Sequence, residues 1–127
     1  MATCKVTEFQ QEQKKRMRSV QDAMDALNGK WKIAIISSIC CYGKRRFSDI
    51  SNDVEGVSNR MLSKELKELE INQLVKRNVL PTQPVTVEYE LTEHGDTLQN
   101  IITNLQDWGI VHRKKIVESM VSPLLES

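Results

Sequence analysis

A chain of 127 residues with 39% apolar side chains has the size of one ordinary domain and can bury a single core without help from metal or disulfide. Its 18 Lys and Arg nearly cancel 17 Asp and Glu, for a net charge of +1, so a nucleic-acid partner can be argued only from where the basic residues lie. Three cysteines, an odd number, do not suit a disulfide framework, no run of about 18 apolar residues offers a membrane span, and Met1 to Arg18 lacks the apolar segment of a secretion signal, which together predict a cytoplasmic protein.

Residues 1–18 carry Lys5, Lys14, Lys15, Arg16 and Arg18 against Glu8 and Glu12, with little apolar periodicity, and read as a loose or partly helical basic arm. Next, Val20, Ala23, Met24 and Leu27 recur at i, i+3, i+4 and i+7, the spacing of a helix with one buried face. Asn28-Gly29 tolerates the left-handed backbone that stops it. A second helix is expected from about Lys30, with Trp31, Ile35, Ser38 and Ile39 on one face, Ala34 and Ile36 widening the stripe, and Gly43 closing it. Lys44-Arg45-Arg46 then makes a basic turn with no acid among its three residues, followed by a short helix bearing Phe47 and Ile50.

The best-defined helix follows Gly56-Val57-Ser58, with Ser58 as an N-cap whose hydroxyl can accept from a free backbone N–H and Val57 placed to reach Leu62 as a hydrophobic staple. Leu62, Leu66 and Leu69 form a narrow apolar stripe, and Arg60, Ser63, Lys64 and Lys67 project from roughly the opposite side. A hairpin comes next: Val75, Arg77 and Val79 alternate with Lys76 and Asn78, Pro81 to Pro84 supplies the bend, and Val85, Val87, Tyr89 and Leu91 alternate with Thr86, Glu88 and Glu90. Thr92 is expected to cap a final long helix, in which Leu98, Ile101, Ile102, Leu105, Trp108 and Ile116 offer more apolar surface than one such chain comfortably covers.

This order gives a mainly α fold with a small β-hairpin wing, a winged helix-turn-helix, divided as a basic arm (1–18), a DNA-binding core (19–92) and a dimerisation helix with its tail (93–127). The physics suits double-stranded DNA, because a B-form major groove admits one α-helix while a neighbouring hairpin can follow the flanking backbone or enter a minor groove.

The chain also resembles the HxlR-type family of bacterial winged-helix regulators, distant relatives of the MarR proteins, from about Val20 to His112. The resemblance rests on Asn28-Gly29-Lys30-Trp31, on Lys44 to Ile50, Gly56 to Glu70 and Val87 to Gly95, and on Trp108, five blocks in the family's order and spacing. It implies a dimeric DNA-binding repressor or activator, paired through its terminal helices, with the helix at Ser58 reading DNA and a wing tip near Pro81 to Pro84. One position departs from the pattern. Where many members carry a redox-active cysteine before the first helix, this chain has Arg18 followed by Ser19, and Cys4 lies well upstream, so a thiol switch is not carried over.

Expected DNA contacts are therefore Lys44, Arg45 and Arg46 at the basic turn, one Arg being available instead to brace the wing; Ser58, Asn59, Arg60, Ser63, Lys64 and Lys67 on the reading helix; and Arg77, Gln83 and Thr86 on the wing, with Lys76 beside them. Leu98, Ile101, Ile102, Leu105 and Trp108 are the expected homodimer interface. Cys40 and Cys41 read as small buried hydrophobes. His94 and His112, far apart, lack the spacing of a metal site, no cofactor is indicated, and no nucleophile elbow, P-loop or dinucleotide fingerprint points to an enzyme. The rival reading is a winged helix that docks proteins without touching DNA. The operator, the regulated genes, repression as against activation, and any small-molecule effector lie beyond the sequence.

Overall fold

The computed structural model describes residues 7–126. Nine elements follow in chain order: α1 (Glu8–Ala26), α2 (Lys32–Tyr42), β1 (Arg45–Arg46), α3 (Phe47–Asp53), α4 (Asn59–Ile71), β2 (Val75–Leu80), β3 (Thr86–Leu91), α5 (Glu93–Asp96) and α6 (Gln99–Glu126). The core is a wedge in which Ile35, Ile36 and Ile39 of α2 meet Ile50 of α3, Leu62, Leu66 and Leu69 of α4, and Val75 and Tyr89 of the sheet. Burying each such aliphatic side chain contributes roughly 1.5–3 kcal/mol. Because α2 holds the centre of this cluster, its nearly continuous apolar sequence is what a helix covered on several sides requires.

Turn chemistry accounts for where the helices stop. Gly29 and Gly43 take φ values of 89° and 86°, a left-handed backbone that a side chain would strain, and they break the chain after α1 and after α2. Thr7 starts α1 with a full capping box: its hydroxyl accepts from the Gln10 N–H at 3.2 Å, and the Gln10 side chain accepts from the Thr7 N–H at 3.0 Å.

Two expectations, on the face of Val20 and on the cap at Thr92, are corrected, and two, on the basic arm and on the wing, are extended. Most of the basic arm is helix, since α1 begins at Glu8; Cys4 and Lys5 lie outside the described residues. The face of Val20, Ala23 and Met24 is exposed, and only Leu27 beyond the helix end is buried in the core. Thr92 caps the short α5, accepting from the Gly95 N–H at 2.9 Å, and a turn at Thr97 separates α5 from the long α6. The wing is three-stranded, in the order β1-β3-β2, all antiparallel, with Arg45 opposite Tyr89 and Val75 opposite Leu91. The two residues of β1 are too few to show a strand period in sequence.

Candidate nucleic-acid interface

Helix α4 is built by its inner face. Leu62, Leu66 and Leu69 are fully buried, and this fixes Arg60, Ser63, Lys64 and Lys67 on the exposed side together with Asn59 in the first turn. Ser58 caps α4 by accepting from the Met61 N–H at 3.1 Å, so its hydroxyl is already engaged in holding the helix start. Two of the helix's acids turn away from this basic face. Glu65 and Glu68 both reach the ammonium of Lys32 in the first turn of α2, at 2.6 and 2.5 Å from Nζ. Lys32, only 2% exposed, also donates to the Asn28 side chain at 3.3 Å. Burial opposes the Lys32 charge, but the two carboxylates outweigh it and hold the ammonium above its usual range; Glu68 in turn is held below the ordinary carboxylate range by its hydrogen bond to Lys32.

This buried cluster was not legible in the sequence. Lys32 sits inside an apolar run and Glu65 between basic residues on a helix, and only an unexplained charge at a core position could have pointed to it.

At the basic turn the three cations have different surroundings. Arg45 is mostly buried; its guanidinium hydrogen-bonds the Asp53 carboxylate, lies 3.9 Å from Asp49 and stacks over the Tyr42 ring at 4.0 Å. The Asp53 carboxylate also accepts from the Ser38 hydroxyl at 2.7 Å, and this bond, joined by the one from Arg45, keeps Asp53 below its ordinary range. Arg45, expected as a phosphate contact, is thus a strut tying β1 to α3, because the acids missing from the turn itself arrive from the next helix. Arg46 is exposed and, among the described residues, forms no ion pair; its backbone N–H donates to Asp49 at 3.2 Å. Lys44 is exposed with Nζ 4.0 Å from the Glu90 carboxylate.

On the wing, Lys76 and Arg77 of β2 and Gln83 of the tip are exposed. Thr86 is half-buried, and its hydroxyl is engaged with that of Thr82 at 2.8 Å, so it shapes the bend instead of offering a free donor. Asn78 donates to Glu90 across the hairpin at 3.0 Å.

The expected dimer face divides. Ile102 is 5% exposed and Leu98 packs on the core, so both serve the subunit's own interior. Ile101, Leu105 and Trp108 are exposed, and further along α6 so are Ile110, Val111, Ile116, Val117, Met120 and Val121. Trp108 stacks on His112 with ring centroids 4.7 Å apart. Helix α1 adds Phe9, Met17, Val20 and Met24, a second bare apolar face. Cys40 is half-buried, and Cys41 is exposed, which corrects its reading as a buried hydrophobe. A cavity of about 260 Å³ between α1, the start of the wing and α5 is lined by Ala23, Ala26, Leu27, Leu74, His94 and Leu98. Among the described residues no helix is long and apolar enough to cross a membrane.

Residues 26–117 match the profile of the HxlR-like helix-turn-helix family. Over 116 residues the chain is 34% identical to the HTH-type transcriptional regulator YtcD of Bacillus subtilis, covering 91% of each protein. Among solved structures, the redox regulator HypR in its reduced form superposes with a TM-score of 0.73 at 36% identity, covering 80% of this chain and 98% of that one. A protein described as a MarR-family transcriptional regulator of Enterococcus faecalis superposes with a TM-score of 0.70 at 26% identity, covering 92% and 99%.

Proposed function

The chain belongs to the HxlR-like helix-turn-helix family, whose relatives are transcriptional regulators and not enzymes, and from that premise we propose that it binds an inverted-repeat operator as a homodimer, one α4 per half-site. Membership makes it a winged-helix, DNA-binding regulator of transcription; the dimer, the operator symmetry and the contact residues are our reading.

One observation carries it. The outward side of α4 gathers Arg60, Lys64 and Lys67, while Lys32 draws Glu65 inward and holds Glu68 at the rim, which leaves Glu70 in the last turn as the exposed acid of this helix without a cationic tie to α2. In this reading Asn59 and Arg60, nearest the helix N-terminus, approach base edges, with Ser63 and Lys64 one turn on. Arg46, Lys44 and Lys67 neutralise phosphates, Arg77 and Gln83 follow the flanking backbone, and Arg45 and Ser58 hold the frame. A docking module without DNA binding is disfavoured by the same cationic face.

The bare apolar faces of α1 and α6 support pairing through the terminal helices. A dimer sets two reading helices about 34 Å apart, one turn of DNA. A small-molecule effector would find the cavity lined by Ala23 and Ala26 of α1 and by Leu74, three residues beyond the end of α4.

Selection from a random duplex pool tests the proposal. The expected product is a pair of inverted half-sites centred about 10 base pairs apart. A pool that shows no enrichment would return the protein to the docking reading.

A further inference from the structure

The contact between α2 and α4 is mainly aliphatic, with Ile35, Ile36 and Ile39 facing Leu62, Leu66 and Leu69. Such contacts are non-directional, so they bury area without choosing one rotation of α4 about its axis. One directional tie crosses this contact. Lys32 extends from the first turn of α2 to two carboxylates three residues apart on α4, with Glu65 6% exposed and Glu68 at the rim of the buried face. Residues at this spacing lie on one side of a helix, one turn apart, so a single ammonium bonded to both defines a rotation as well as a height along the axis.

Stability is a poor explanation for this arrangement. Removing an ammonium and a carboxylate from water costs about as much as their attraction returns, and apolar residues of similar volume often serve the fold as well. What an apolar pair cannot supply is direction. The side chains that must meet base edges, Asn59, Arg60, Ser63 and Lys64, are on this same rigid helix, so its rotation sets where all of them point. Readout tolerates errors of only about 0.5 Å and 10–20°.

We infer that the Lys32–Glu65–Glu68 cluster is a positioning device that orients α4 for sequence discrimination, and that it acts on specificity more than on stability or general DNA affinity. This rests on α4 being the helix that reads the groove.

The test measures the ratio of affinities for a selected operator and a scrambled duplex, beside the thermal midpoint of each protein. The double variant Lys32→Met/Glu65→Met removes the buried charges together and leaves Glu68 free to turn to water. The single variant Glu68→Ala cuts one arm at the rim, where a helix-favouring residue is tolerated. The expected result is a folded double variant whose discrimination falls about tenfold or more, comparable with loss of one good base contact, while its affinity for scrambled DNA at low salt holds within about twofold of wild type, as phosphate binding requires. Glu68→Ala is expected to lose discrimination in the same direction, and it decides the matter should the double variant not fold. Unchanged discrimination in Glu68→Ala or in the folded double variant overturns the inference alone. A wild-type protein that selects no sequence overturns the proposed function, and the inference with it.

Discussion

Gly95→Ala should be far more damaging than a glycine-to-alanine change in a helix ordinarily is. Gly95 lies in α5 with a helical backbone, where alanine is favoured over glycine by about 1 kcal/mol, so propensity alone predicts a gain. Space decides the sign. A methyl at this position would sit 2.0 Å from the Leu74 carbonyl oxygen and 2.9 Å from its carbonyl carbon, and both belong to backbone. Relief requires α5 and the strand entry to separate by about 1 Å. The Leu74 carbonyl cannot yield freely: it accepts from the Thr92 N–H at 3.1 Å, Leu74 is buried, and Val75 beside it begins β2 in the core. Overpacking against a better-filled core usually costs 1–3 kcal/mol, and here a shifted backbone hydrogen bond adds about 1 more. Net of propensity, the expected loss is about 1–3 kcal/mol, which for a domain of this size lowers the thermal midpoint by roughly 3–15 °C. Urea unfolding at constant m-value with parallel thermal melts would measure it. A change within about 0.5 kcal/mol would refute the close approach of α5 to the start of the wing.

Four further outcomes are expected. Arg46→Ala should flatten the log-log salt dependence of binding by about one unit, whereas Arg45→Ala should lower the thermal midpoint and leave that slope alone; titrations at several salt concentrations distinguish them, and the opposite pairing would reverse our assignment of strut and clamp. Arg60→Ala should cost about 1–3 kcal/mol on the selected operator and much less on a scrambled duplex, and equal losses on both would make Arg60 a phosphate contact. Leu105→Asp should convert a dimer into a monomer at micromolar concentration by sedimentation, and a surviving dimer would exclude this part of α6 from the interface. The depressed carboxyls of Asp53 and Glu68 contribute stability above their ordinary values of 3.8 and 4.5 that is lost as pH falls through the lower folded values, while the raised Lys32 contributes below 10.5 and loses its share as pH climbs through its higher folded value. Melts across pH should therefore decline at both ends, and an acid limb unchanged in Asp53→Asn would remove that carboxyl from the explanation.

Local rules carried much of this protein. The leucines at 62, 66 and 69, the alternation through Val85, Val87, Tyr89 and Leu91, the cap at Ser58 and the stop at Gly43 each depend on neighbours a few residues away, and each element lies where its pattern put it, to within a residue or two at the ends. The five motif blocks from Asn28 to Trp108 likewise sufficed for the family. The start of α1 was not read from the sequence, although Thr7 and Gln10 stand at the spacing of a capping box, because apolar residues ahead of Val20 are too sparse to form a stripe.

What periodicity could not reach was the identity of partners distant in sequence. A basic turn has the same sequence whether its arginine is free or bound to Asp53, and an apolar helix face looks the same whether it meets its own core, as Ile102 does, or is left bare, as Trp108 is. Lys32 and Glu65 are 33 positions apart, and only the crossing of α2 over α4 brings their charges to 2.6 Å. Burial, ion pairing and the direction a helix faces are sums over neighbours that the chain acquires on folding, and so the tertiary structure alone separates the cations that brace this protein, such as Lys32 and Arg45, from those left exposed, such as Arg46 and Arg60.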